Sequence, residues 1–234
     1  MLTVPGLCWL CRMPLTLSGW GICSVCTRSL QGRISGCPQC GLPASSPQLP
    51  CGRCLKKAPP WCALVAVDHY VPPLSGLIHS LKFSSQSSLA RPLARLLLLA
   101  LLQARRTRQL PGVDMIMNVP LYRRRHWRRG YNQSDLLCRP LAHWLGCRYP
   151  ASALTRVQAT ATQHRLNARL RKRNLKNAFR LELAVKGSIS PSWMMSSRRA
   201  APWLNFPDCF CEAARRRFRY GVCAVPCSPS SMGV

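Results

Sequence analysis

The chain has 234 residues, with 34 basic and only 6 acidic side chains, a net charge of +28 and fifteen cysteines. That length has room for one ordinary domain and a small one, and the longest apolar run, Leu96 to Leu102, falls far short of the roughly 20 residues of a membrane span. The opening MLTVPGLCWL has neither the charged start nor the apolar core of a secretory signal, so a cytoplasmic protein with reduced thiols is expected, not a disulfide scaffold.

Eight of the cysteines come as four Cys-x-x-Cys pairs: Cys8/Cys11, Cys23/Cys26, Cys37/Cys40 and Cys51/Cys54. One such turn aims two sulfurs at a point, and a second completes the tetrahedron that Zn²⁺ prefers, with Zn–S near ~2.3 Å. Four thiolates leave no open position, so each centre is expected to be structural and closed. Sequential pairing (8, 11, 23, 26 and 37, 40, 51, 54) is the simplest, and an interleaved one stands beside it. A segment this short buries too little core to fold alone, so the metal would supply its folding energy. Cys62, Cys138 and Cys147 lack partner spacing and are expected to be ordinary buried thiols.

A hinge, Lys56-Lys57-Ala58-Pro59-Pro60, precedes a change in composition. Cys62 to Tyr70 predicts a short strand, and Pro72-Pro73 interrupts the chain before Leu74 to Phe83. Residues 89 to 105, LARPLARLLLLALLQAR, predict a helix with a wide Leu/Ala face. Val113 to Val119 predicts a buried strand ending at Pro120. Strand, helix and strand imply an α/β fold with a parallel sheet. Behind that strand, a basic loop containing Arg124, Arg125, Arg129 and Gly130 leads to a helix start at Asn132 to Ser134, with Leu136, Leu137, Leu141 and Leu145 as its buried stripe. A loop of this kind behind a strand is where α/β folds bind anions, though a solvated basic surface fits the same pattern. A second basic stretch, Thr155 to Leu181, suits either a mobile loop meeting a phosphorylated ligand or an amphipathic surface helix. The charge itself attracts polyanions and phosphorylated small molecules, or serves solubility, and names no partner.

Three blocks of residues together resemble the ComF/GntX family, in which a zinc-ribbon module precedes a type I phosphoribosyltransferase-like domain. They are Leu81-Lys82-Phe83; Val119-Pro120-Leu121 with Arg124, Arg125, Arg129, Gly130, Tyr131, Asn132 and Gln133; and Arg156, Thr160, Gln163, Leu166, Arg171, Asn174, Ala178 and Phe179. The resemblance runs from the first residue to about Gly187. It implies a double zinc ribbon over residues 1–58, holding two structural Zn²⁺, and a phosphoribosyltransferase-like domain over 61–187, incomplete at its C-terminus. It also implies a pocket for a phosphorylated ribose or nucleotide that draws on Arg124, Arg125, Arg129, Gly130, Asn132, Gln133, Gln163, Arg171 and Asn174. The family is linked to use of external DNA, so single-stranded DNA or the DNA-uptake machinery are the implied partners. Trp127 and Tyr131 offer stacking surfaces for the former.

Phosphoribosyl pyrophosphate with Mg²⁺ is the ligand an intact relative would take, held by paired acids and a Thr/Gly-rich phosphate loop. That motif should follow Gly187 and does not. Residues 188–234 instead show no helical or strand period. Trp193-Met194-Met195 has a single coding, TGGATGATG, which holds Asp-Asp (GATGAT) in another frame. Chosen synonymous codons around it give QHIAIVDDVVTTGSTVAE, a strand, paired acids and a phosphate loop, and the rest of the tail continues as a plausible helix and strand. Of these steps only Asp-Asp is forced. A single-base deletion at the codon of Gly187 would account for the change. Such a product carries no assignable catalytic residue, and its sheet is expected to be poorly stable, with the tail disordered or misfolded.

Overall fold

The computed structural model describes residues 6–31, 36–42, 44–58, 61–110, 112–121, 123–157, 179–182 and 222–226. In chain order these hold helices α1 (Ser24–Leu30) and α2 (Gly52–Lys56), strand β1 (Trp61–Ala66), helices α3 (Leu74–Phe83), α4 (Ala90–Arg108), α5 (Arg123–Arg129) and α6 (Gln133–Leu145), and strands β2 (Leu154–Arg156), β3 (Phe179–Leu181) and β4 (Val222–Pro226). The molecule is thus mixed helix and strand, with the cysteines gathered at its N-terminal end.

Helix α4 organises the rest. Leu93, Leu96, Leu97, Leu101 and Ala104 recur at helical spacing and are all buried. Pro92 falls in the first turn, where its missing N–H leaves no intrahelical bond unmade. Arg105, Arg106 and Arg108 close the last turn, favourably placed against the helix dipole. Against α4 pack α6, β1 and the loop around Ser18–Trp20, and one continuous core joins Val65, Leu74, Leu81, Leu96, Leu101 and Leu141. An 18-residue window of the Ser87–Arg108 stretch reaches a mean hydropathy of 1.2, enough by length and composition to cross a membrane, yet half of it is buried inside the molecule. The count of consecutive apolar residues had understated this helix; its apolar side is spent on the core.

Helix α6 starts as the capping residues predict. The Asn132 side chain accepts from the Ser134 N–H at 3.1 Å, and Gly146 ends the helix in the left-handed region at φ 63. Leu137 and Leu141 are buried, and Leu136 and Leu145 sit half-buried against the same core.

Two expectations need correction. The basic segment after Pro120 is not a loop: Arg123–Arg129 is helical, arginine being a good helix former even without an apolar stripe. The strand predicted over Val113–Val119 is buried at Val113, Met115 and Ile116 but pairs at a single residue, Met115 with Arg148, in parallel. The Ile116 N–H donates to Arg148 O at 2.9 Å and the Arg148 N–H to Asp114 O at 3.0 Å. The next rung would need an N–H from residue 150, which is Pro150, so the ladder stops. Among the described residues the strand pairs are antiparallel, β1 with β4 and β2 with β3, and the parallel sheet reduces to that one bridge. Of the tail after Gly187, only Val222–Pro226 is among the described residues; it forms β4 and pairs with Trp61–Ala66 along β1.

Candidate metal centres and the basic turn

The first centre begins with a tight knuckle. The Cys8 N–H donates to Met13 O at 2.9 Å, and Arg12 adopts φ 61 to turn the chain. Cys23 then caps α1, so that Cys26 sits in its first turn. The second centre repeats this plan. The Cys37 N–H donates to Leu42 O at 2.8 Å, Gly41 takes φ 69, and Cys51 stands at the start of α2 with Cys54 in its first turn. The N–H of Cys23 donates to Cys8 Sγ at 3.4 Å, and that of Cys51 to Cys37 Sγ at 3.3 Å. The two halves are copies of one motif.

The pairing left open by the sequence is sequential. The four sulfurs of Cys8, Cys11, Cys23 and Cys26 lie within 4.8 Å of one another, as do those of Cys37, Cys40, Cys51 and Cys54. Cys11 and Cys23 are 3.7 Å apart, Cys40 and Cys51 3.7 Å, and Cys37 and Cys54 3.8 Å. A tetrahedron with Zn–S near ~2.3 Å has edges of about 3.8 Å, so the donor type and the spacing both fit Zn²⁺.

The proton affinities are split within each centre. Burial would raise the Cys8 thiol, but N–H groups of Cys11, Cys23 and Leu10 outweigh it and bring its pKa to about 6. The Cys54 N–H, the largest influence on Cys51, lowers that thiol to about 7. Burial, followed by neighbouring sulfurs, pushes Cys26 and Cys54 upward, and burial brings Cys40 to about 11. Four close sulfurs cannot all ionise unaided; a dication at their centre would displace the remaining protons.

The centres differ in their surroundings. Cys8, Ile22 and Leu30 belong to the main core alongside the leucines of α4. Cys37, Cys40 and Cys54 form a separate small cluster with Leu42, Ala44 and Cys51. Of the other cysteines, Cys138 is raised to about 12, chiefly by burial, and Cys147 is raised for the same reason, which fits inert thiols.

The basic turn brings together two stretches distant in sequence, Leu81-Lys82-Phe83 and the segment from Val119 to Gln133. The Tyr131 hydroxyl donates to Leu81 O. The Arg129 guanidinium lies 5.0 Å above the Phe83 ring and donates to Gln133 Oε1 at 3.1 Å. Asn132 donates from Nδ2 to Val119 O at 3.3 Å while its Oδ1 caps α6. Asn132 and Gln133 are buried, and Gly130 takes φ 75 with open space around it. Trp127 is 82 % exposed and Phe83 57 % exposed. Arg124 and Arg125 hold backbone places on α5, and their side chains are outside the described set, as are residues Gln163, Arg171 and Asn174. At the near end of the third stretch, Arg156 stacks over Phe179 at 5.3 Å across the β2–β3 pair.

No protein-family model matches the chain, and no solved structure matches it. Curated relatives do. The DNA utilization protein YhgH of Salmonella typhi is 69 % identical over 187 residues, covering 80 % of this chain and 82 % of the relative. The protein of the same name from Escherichia coli K12 is 66 % identical over 187 residues, with the same coverage of both chains. Competence protein F of Haemophilus influenzae is 43 % identical over 177 residues, 76 % of this chain and 77 % of that one. The chain belongs to the ComF/GntX family.

Sequence reasoning overlooked two arginines of α4 beside the metal centres, Arg95 and Arg108. Their spacing carries no signal, because what they touch is brought near only by folding.

Proposed function

We propose that this is a DNA-utilisation protein of the ComF/GntX type, built from a two-zinc ribbon module and a phosphoribosyltransferase-like domain that has lost its ligand loop. The observation that carries the reading is the identity of 66–69 % over 187 residues to proteins named for DNA utilization, joined by 43 % to a competence protein. The eight cysteines, Cys8, Cys11, Cys23, Cys26, Cys37, Cys40, Cys51 and Cys54, hold two structural Zn²⁺. The turn from Arg124 to Gln133 faces a phosphorylated ribose or nucleotide, with Arg124, Arg125 and Arg129 as charge, Gly130 as the open backbone, and Asn132 and Gln133 holding the turn in shape. Gln163, Arg171 and Asn174 close the same site. The residues after Gly187 carry neither paired acids nor a Thr/Gly-rich phosphate loop, so this product binds that ligand weakly or not at all and performs no transfer.

A titration with phosphoribosyl pyrophosphate and Mg²⁺ tests the reading. The unaltered chain is expected to show no saturable heat, and the frame-restored chain a saturable one that is lost on replacing the restored acids. Equal binding by both chains would overturn the lesion; binding by neither would overturn the ligand class. A second reading, a zinc-dependent nucleic-acid accessory without transferase activity, is favoured by Trp127, which stands 82 % exposed on the arginine-rich helix α5. Its signature is affinity for single-stranded DNA that falls steeply with salt, is indifferent to the ribose ligand and is reduced in Trp127→Ala.

A further inference from the structure

Helix α4 reaches both metal centres through one arginine each. Arg95 Nη1 donates to Ile22 O at 3.2 Å, the carbonyl just before the ligand Cys23, and its guanidinium lies 4.0 Å over the Trp20 ring. Thirteen residues on, a rise of about 20 Å, Arg108 Nη1 donates to Leu64 O at 3.2 Å. The N–H of that same Leu64 donates to Pro38 O at 2.8 Å, inside the Cys37–Cys40 knuckle. We infer that Arg95 and Arg108 are positioning residues for the two metal centres, each fixing one cysteine turn and lending positive charge to it. This rests on the zinc reading above.

The electrostatic case follows from charge. A dication in four thiolates leaves each centre with a net charge of −2, and a nearby guanidinium offsets part of it. Both arginines are partly buried, which by itself lowers their pKa, and for Arg108 the Cys37 sulfur acts in the opposite direction. The guanidinium keeps its charge under such conditions, as arginine always does. The two sites depend on their arginine unequally. The first centre is also held by Ile22 and Leu30, both 0 % exposed in the main core. The second lies in its own small cluster, so the chain Arg108–Leu64–Pro38 carries more of its attachment.

The test uses the full chain loaded with metal, in four forms: unaltered, Arg108→Met, Arg108→Lys and Arg95→Met. Metal loss to a chromophoric chelator is timed, and ¹¹³Cd resonances of the cadmium-loaded chain distinguish the centres. Arg108→Met is expected to release one of two equivalents about 10-fold faster and to shift one resonance. Arg108→Lys, which keeps the charge but not the fork, should fall between. Arg95→Met should speed the other equivalent by a smaller factor. Unchanged release in Arg108→Met would overturn the inference, and so would equal acceleration of both equivalents with a lowered melting temperature, the mark of a merely structural role. A chain holding fewer than two divalent ions before any arginine is changed would overturn the zinc reading itself, a result distinguishable from either.

Discussion

The two cysteine centres share a local plan and differ in what lies behind them. In both, a knuckle with a left-handed residue just after its second cysteine is followed by a pair at a helix start, and both present backbone N–H groups to sulfur. Yet the first is part of the main core, with Cys8 fully buried beneath α4, while the second makes a small cluster of its own. Ligand geometry is therefore a local property of the motif, whereas the consequence of losing the metal depends on where the motif docks.

The largest expected effect separates these two properties. Cys8→Ser would remove metal-derived folding energy on the order of 10 kcal/mol from a core whose total stability is about 5–15 kcal/mol. The main unfolding transition is then expected to disappear. Cys37→Ser, at the matching position of the second centre and outside the main core, should cost one metal ion and move the main transition by no more than ~4 °C. Calorimetry with metal counting checks both. Equal losses would break the comparison.

A smaller effect concerns docking alone. A Cβ on Gly21 would come 2.2 Å from Pro92 Cγ, and this glycine has φ 65, so Gly21→Ala should destabilise by about 2–3 kcal/mol. Gly52, at the start of α2, has nothing within 4 Å of its added Cβ, and Gly52→Ala should be neutral or stabilising by up to ~1 kcal/mol. Denaturant melts of the two single variants give the difference directly.

The smallest effect sits on the turns themselves. The first knuckle places Arg12 in the left-handed region where the second has Gly41. Arg12→Gly should relieve about 1 kcal/mol of strain, and Gly41→Ala should introduce a similar amount. Opposite shifts in the melting curve, of a few degrees each, would show the two turns to be equivalent.

The cysteine centres were legible in the sequence because their spacing is local: each pair spans four residues, and the sulfurs converge whatever surrounds them. The helix over residues 89 to 105 and the cap at Asn132 were legible for the same reason. The choice between sequential and interleaved pairing was not, because it depends on which knuckle folds beside which helix start. Nor was α5, since seven residues rich in arginine carry no apolar period to set a helix apart from a basic loop. The strand expected at Val113–Val119 was half legible. Its burial followed from its own residues, but its ladder ended on Pro150, thirty-one positions past Val119 in the sequence and adjacent only in the fold. The meeting of Phe83 with Arg129 was likewise visible only as two separate blocks until the chain was folded.

The central claim is that two independent four-cysteine zinc centres form in this chain by sequential pairing. Native mass spectrometry of the full chain, of Cys23→Ser and of the double variant Cys23→Ser/Cys51→Ser tests it most directly. The account predicts two zinc ions in the unaltered chain, one in the single variant and none in the double variant. A single ion in the unaltered chain, or one ion kept by the double variant as interleaved centres would keep it, would contradict it.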